Sequence, residues 1–152
     1  MRRKAFTLIE LLIVIAIIGI LAGLIIATTG VARPAARDSK RVANLKELST
    51  ALEMYHNQNE KYPAAPSGNH ASDIIGLASD FIPTIPIDPK NDSTVGYVYT
   101  YFVNDSNNPT KYVLRAKLEQ SGAKSLDEDL DGDNVHGANC KDADRYYCIG
   151  IP

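Results

Sequence analysis

The densest chemistry in the chain is acidic: Asp127, Asp129, Asp131, Gly132 and Asp133 read D-x-D-x-D-G-D. That spacing gathers several carboxylate oxygens around one tight turn, as calcium with its roughly 6–8 oxygen ligands requires. Asp127, Glu128, Asp129, Asp131 and Asp133 have no base among them, so they repel one another unless a cation is present. A plainly solvated acidic loop is the competing reading. Cys140 and Cys148, the only cysteines, follow closely. They suit a disulfide closing a short loop; with His136 they also suit part of a zinc site that lacks a clear fourth ligand beyond a nearby aspartate. Glu10 is a third group, standing directly before 22 uncharged residues at positions 11–32. A carboxylate in an apolar helix costs about 2.5–3.5 kcal/mol near a membrane centre and somewhat less near its edge, so Glu10 calls for a partner. No nucleophile with a base, no paired carboxylates and no phosphate-cradling glycine loop is evident, and the expectation is a non-enzyme.

The elements that must position these groups divide sharply along the chain. Of the first 32 positions 22 are hydrophobic, against 45% for the 152 residues as a whole. A body of roughly 120 residues holds one modest core, and a net charge of -2 argues against a dedicated nucleic-acid binder. The uncharged run, as a helix, spans about 33 Å, enough to cross a bilayer. Arg2, Arg3 and Lys4 precede it, which favours a cytoplasmic N-terminus and places everything after Arg33 outside the cytoplasm, where disulfides persist. A cleaved secretory signal is the bland alternative; the run exceeds the usual apolar core of about 7–15 residues, and no small-x-small cleavage pattern follows. Gly19 and Gly23 form a GxxxG spacing that permits close helix approach in lipid, and Pro34 marks the end of the apolar part.

Val42, Leu45, Leu48, Leu52 and Tyr55 recur every three or four residues, while Arg41, Lys46, Glu47, Glu53 and Asn57 occupy the other faces. The spacing predicts an amphipathic helix with that stripe in the core, ending near Asn59. Pro83, Pro86 and Pro89 predict an extended loop, preceded by a short helix over positions 72–81. Positions 97–103 and 112–119 predict an antiparallel hairpin. Tyr112, Leu114, Ala116 and Leu118 alternate with Val113, Arg115, Lys117 and Glu119, so the hairpin has one face on the helix.

Lys4, Ala5, Phe6, Thr7, Leu8, Ile9 and Glu10, followed by the apolar run, resemble the class III signal of type IV pilins and type II secretion pseudopilins. Ala51, Leu52, Glu53, Met54 and Tyr55, with Asn57, Gln58, Asn59, Tyr62 and Pro63, resemble the helix exit of the same family, closest in pattern to its major pseudopilins; the proline loop resembles their connecting loop. The resemblance implies an α+β fold, a long N-terminal helix packed on a small antiparallel sheet. It divides the chain into a leader at 1–5, a membrane or filament-core helix at 6–32, an amphipathic half at 33–59 and a head at 60–152 with a C-terminal acidic loop. It also implies cleavage between Ala5 and Phe6 by a prepilin peptidase, methylation of the Phe6 amine, and assembly with identical or related subunits into a helical filament. A membrane platform protein and an assembly ATPase are further implied partners. Ala5 stands where the family usually has Gly and meets the small-residue requirement.

Under that reading Glu10 pairs either with the Phe6 amine of a neighbouring subunit, fixing axial register, or with its own Phe6 amine four residues away. Calcium in the C-terminal loop is also a family trait. The loop opens like an EF-hand, but its twelfth position is Ala138 rather than a bidentate glutamate. The expected location is the cytoplasmic membrane, single-pass with the head outside, then a filament in the periplasm or on the cell surface. A membrane-anchored calcium-dependent binding module is the alternative function; it would tolerate loss of Glu10 and need no leader cleavage.

Overall fold

The computed structural model describes residues 7–64, 68–74 and 80–152. Its first element, α1, runs Leu8–Asn59 and contains Pro34. The chain forms two compact units, Met1–Pro34 and Ala35–Pro152.

In the first unit the window Leu8–Ile25 has a mean hydropathy of 3.0. Every side chain from Thr7 to Ile25 is exposed, including Leu8 at 82% and Ile25 at 67%. A continuous exposed apolar surface of this kind requires lipid or protein around it. Pro34 has no N–H to give the carbonyl of Gly30.

In the second unit Leu45, Leu48, Ala51 and Leu52 are buried, and Val42 and Tyr55 pack against the same cluster. The predicted stripe is therefore the core face of the helix. The helix stops where expected: Glu60 adopts a left-handed conformation (φ 60°) and its N–H reaches the carbonyl of His56 at 2.7 Å. The His56 ring stacks on Tyr62 with centroids 4.6 Å apart.

Four antiparallel strands lie against this helical face in the order β1 (Asn69–His70), β2 (Thr100–Val103), β3 (Tyr112–Lys117), β6 (Tyr146–Gly150). In the predicted hairpin Tyr101 faces Leu114 and Phe102 faces Val113. Tyr101, Val103, Tyr112, Leu114, Ala116 and Leu118 join the helix stripe in one cluster, as the alternation implies. A separate two-stranded sheet, β4 (Gly132–Val135) and β5 (Ala138–Cys140), completes the head.

Two local expectations are corrected, and a third falls mostly outside the described residues. The outer face of the hairpin is not left to solvent at Val113, which is fully buried with Phe102, Ala138, Cys140 and Cys148 in a second cluster. The C-terminal segment carries its own apolar residues onto that face. The strand expected over 97–103 begins only at Thr100, because Tyr97 is engaged in an isolated bridge with Asp92. Of the short helix expected over 72–81, the described residues show a 3-10 turn at Ala71–Asp73 and a helical Asp80, while positions 75–79 lie outside the described residues.

Candidate functional site

At the start of α1, Glu10 is held by Thr7. The Thr7 N–H and hydroxyl donate to Glu10 Oε2 at 2.9 and 2.8 Å, and the Glu10 N–H points back to the Thr7 hydroxyl at 3.4 Å. This is the reciprocal arrangement of a T-x-x-E capping box, which satisfies amides that the first helical turn leaves open. Thr7 and Glu10 carry that signal in the sequence, and reading Glu10 for its charge alone misses it. Ala5 and Phe6 lie outside the described residues, so the expected Phe6–Glu10 pairing falls there too.

The acidic segment follows a 3-10 turn, Lys124–Glu128, and runs into β4. Asp129 and Asp131 converge with Asp142, each offering an oxygen within 4.8 Å of the others. Asp142 comes from a second 3-10 turn, Asp142–Asp144, which the D-x-D-x-D-G-D pattern could not reveal because it lies beyond β5. Asp133 turns instead to Lys141 at 2.8 Å, and Asp127 sits on the preceding turn. Asp129 Oδ2 accepts the Cys148 N–H at 2.6 Å, while its Oδ1 is buried without a hydrogen-bond partner. Burial, reinforced by the charges of Asp142 and Asp131, pushes the Asp129 carboxyl up to about 6. Asp142 is raised too, by burial and then by Asp131. Three converging acids, of which Asp129 and Asp142 resist ionisation, are chemically suited to a cation.

Cys140 and Cys148 form a disulfide with Cα atoms 5.8 Å apart. This removes the thiolates that the zinc reading needed, and His136 Nε2 lies 3.2 Å from the Ile151 carbonyl oxygen.

A further constellation fixes the proline loop. Arg41, placed by its spacing on a polar face, is fully buried. Its guanidinium donates to Asp88 (2.6 and 3.0 Å), Asp38 (2.7 Å) and Glu119 (2.8 Å). Glu119 also receives two 2.6 Å hydrogen bonds from Arg37 and lies 2.9 Å from Lys90. The Arg37 hydrogen bonds, with Lys90 and Arg41, hold the Glu119 carboxyl well below the usual range despite burial. The helical spacing of Arg37, Asp38 and Arg41 is the available sequence signal, but Asp88 and Glu119 are distant along the chain and only the fold unites them.

Comparison with known proteins bears on both units. The prokaryotic N-terminal methylation motif matches residues 1–26, which include Ala5, Phe6 and Glu10. Over 143 residues the chain is 30% identical to type II secretion system core protein G of Pseudomonas aeruginosa, covering 94% of this chain and 93% of that protein. The chain belongs to the type II secretion system core protein G family. Core protein G of Pectobacterium carotovorum is 33% identical over 97 residues, 64% of this chain; the matched region spans only 58% of that relative's length. The type IV major pilin protein PilA of Myxococcus xanthus is 33% identical over 96 residues, 63% of this chain and 36% of the pilin. No solved structure matches the chain. Members of the core protein G family are thus similar to this chain through the head as well as the N-terminal helix, and the pilin likeness is shorter on the pilin side.

Proposed function

We propose that the protein is a structural subunit of a type II secretion pseudopilus, assembled from the cytoplasmic membrane by packing of its N-terminal helices. The observation that carries this reading is the exposed run Leu8–Ile25 inside the residues matched by the methylation motif, in a chain matching core protein G along nearly its whole length. Such a surface exchanges lipid for neighbouring helices with little change in solvent quality, so a subunit can leave the bilayer for a filament without exposing apolar area to water. In this reading a prepilin peptidase cuts between Ala5 and Phe6, the Phe6 amine is methylated, and Glu10 of one subunit pairs with the Phe6 amine of the next. The N-terminus starts in the cytoplasm and the head lies outside. A membrane platform protein and an assembly ATPase act on the filament.

Calcium belongs to the same proposal. Asp129, Asp131 and Asp142 would hold it, and the buried, unpartnered Asp129 Oδ1 is the group whose desolvation a cation offsets. Bound calcium supplies charge neutralisation that stabilises the C-terminal segment. The assigned ligands therefore differ from the loop-only set of Asp127, Asp129, Asp131 and Asp133.

The test is Glu10→Ala in the native cell. Membrane insertion should persist while filaments and secretion are lost; normal filaments from that variant would remove the pairing from the proposal. A plain membrane-anchored binding module would tolerate the change.

A further inference from the structure

We propose that the Cys140–Cys148 disulfide positions the aspartate trio and sets its affinity for a divalent cation. The inference rests on the calcium reading above and adds what controls that site.

Each carboxylate is tied to one of the two half-cystines, both of which are fully buried. Asp131 immediately precedes Gly132, which faces Cys140 across the β4–β5 pair. Asp142 lies two residues beyond Cys140, inside the loop that the bridge closes. Asp129 takes the Cys148 N–H directly, and the next residue, Leu130, donates its N–H to the Cys148 carbonyl at 3.0 Å. Cys140 belongs to the two-stranded sheet and Cys148 to the four-stranded one, so no shared ladder fixes their separation. The sulfur bridge joins the two sheets at the point where the acids meet. Three carboxylates within 4.8 Å repel one another, and in the absence of a cation they relax apart unless the backbone carrying them is held. A covalent link lowers the cost of gathering the ligands before the ion arrives, which is preorganisation expressed as affinity.

The experiment titrates calcium chloride into the full chain in detergent by calorimetry. It compares wild type, the Cys140→Ser, Cys148→Ser double variant, and Val113→Ala. Val113 is buried in the same cluster but forms no part of the bridge, so it controls for destabilisation alone. Wild type should bind, the double variant should bind at least tenfold more weakly, and Val113→Ala should melt lower with its calcium affinity unchanged. If the double variant does not fold, wild type reduced with dithiothreitol takes its place. Two electrons and two protons then pass from the dithiol to the cysteine sulfurs, and circular dichroism reports the fold. Affinity within twofold of wild type without the bridge overturns the inference and leaves the calcium reading standing. Weakening that merely tracks lost stability, equally in Val113→Ala, also overturns it. Absence of calcium binding by wild type removes the calcium reading and the inference together.

Discussion

Replacing Arg41 by Ala would leave Asp88, whose side chain is fully shielded from water, as an uncompensated charge. Breaking a buried pair from one side costs about 3–5 kcal/mol, so a large fall in melting temperature is expected. Arg41→Lys should recover little of it, because a single ammonium cannot reproduce the forked contact with Asp88 and the bonds to Asp38 and Glu119. Glu119 gives the same network a pH signature. Its folded-state pKa is depressed, so on acidification the unfolded chain takes up the proton first. The stabilisation is present above the ordinary carboxylate range of about 4.3 and is lost as pH falls through the lower folded value. Thermal melts between pH 5 and 2 should show the decline, and Glu119→Gln should flatten it. Neither residue was marked by pattern: Arg41 breaks the apolar stripe, and Glu119 ends a strand whose alternation pointed it outward. Charges inside a fold become legible only when their partners are known, and these partners come from three separate segments.

Among the elements, the helix and the hairpin were legible because their periods of 3.6 and 2 are imposed by one apolar neighbour, the stripe of Leu45, Leu48 and Leu52 meeting Tyr101 and Leu114. The C-terminal layer was not, since β4 and β5 are short and no period emerges from three or four residues. Its fit is nevertheless close. Gly150 has φ 156°, and a Cβ there would run into the Tyr112 carbonyl and the Val113 Cα on the adjoining strand. Gly150→Ala should therefore destabilise by about 1–3 kcal/mol in chemical denaturation, the usual cost of overpacking. The helix exit offers the opposite change. Glu60 occupies the left-handed position that glycine fills without steric penalty, so Glu60→Gly should raise stability by up to about 1 kcal/mol. A melting temperature no higher than wild type would show that another contact of Glu60 outweighs the backbone relief.

At the scale of the whole molecule, the two units differ in what surrounds them. Ala35–Pro152 encloses its own core, while the described apolar side chains of Met1–Pro34 remain open. A chain beginning at Ala35 should stay monodisperse without detergent in sedimentation, and the full chain should not. The head's tyrosines predict its alkaline limit. Burial, with the Glu53 charge, pushes Tyr62 up to about 12, and burial pushes Tyr99 to the same value. Stability is full below the unfolded tyrosine pKa of about 10 and falls as pH rises toward 12, which ultraviolet titration of phenolate alongside circular dichroism would follow. Pro34 carries a consequence for depth. The Gly30 carbonyl, deprived of its usual amide, has to find another donor. In hydrocarbon an unanswered carbonyl costs several kcal/mol, whereas at the headgroups water answers it at once. In a subunit held in the membrane as proposed above, Gly30 would thus be a float line, marking how far the rod can sink before the bilayer pushes it back.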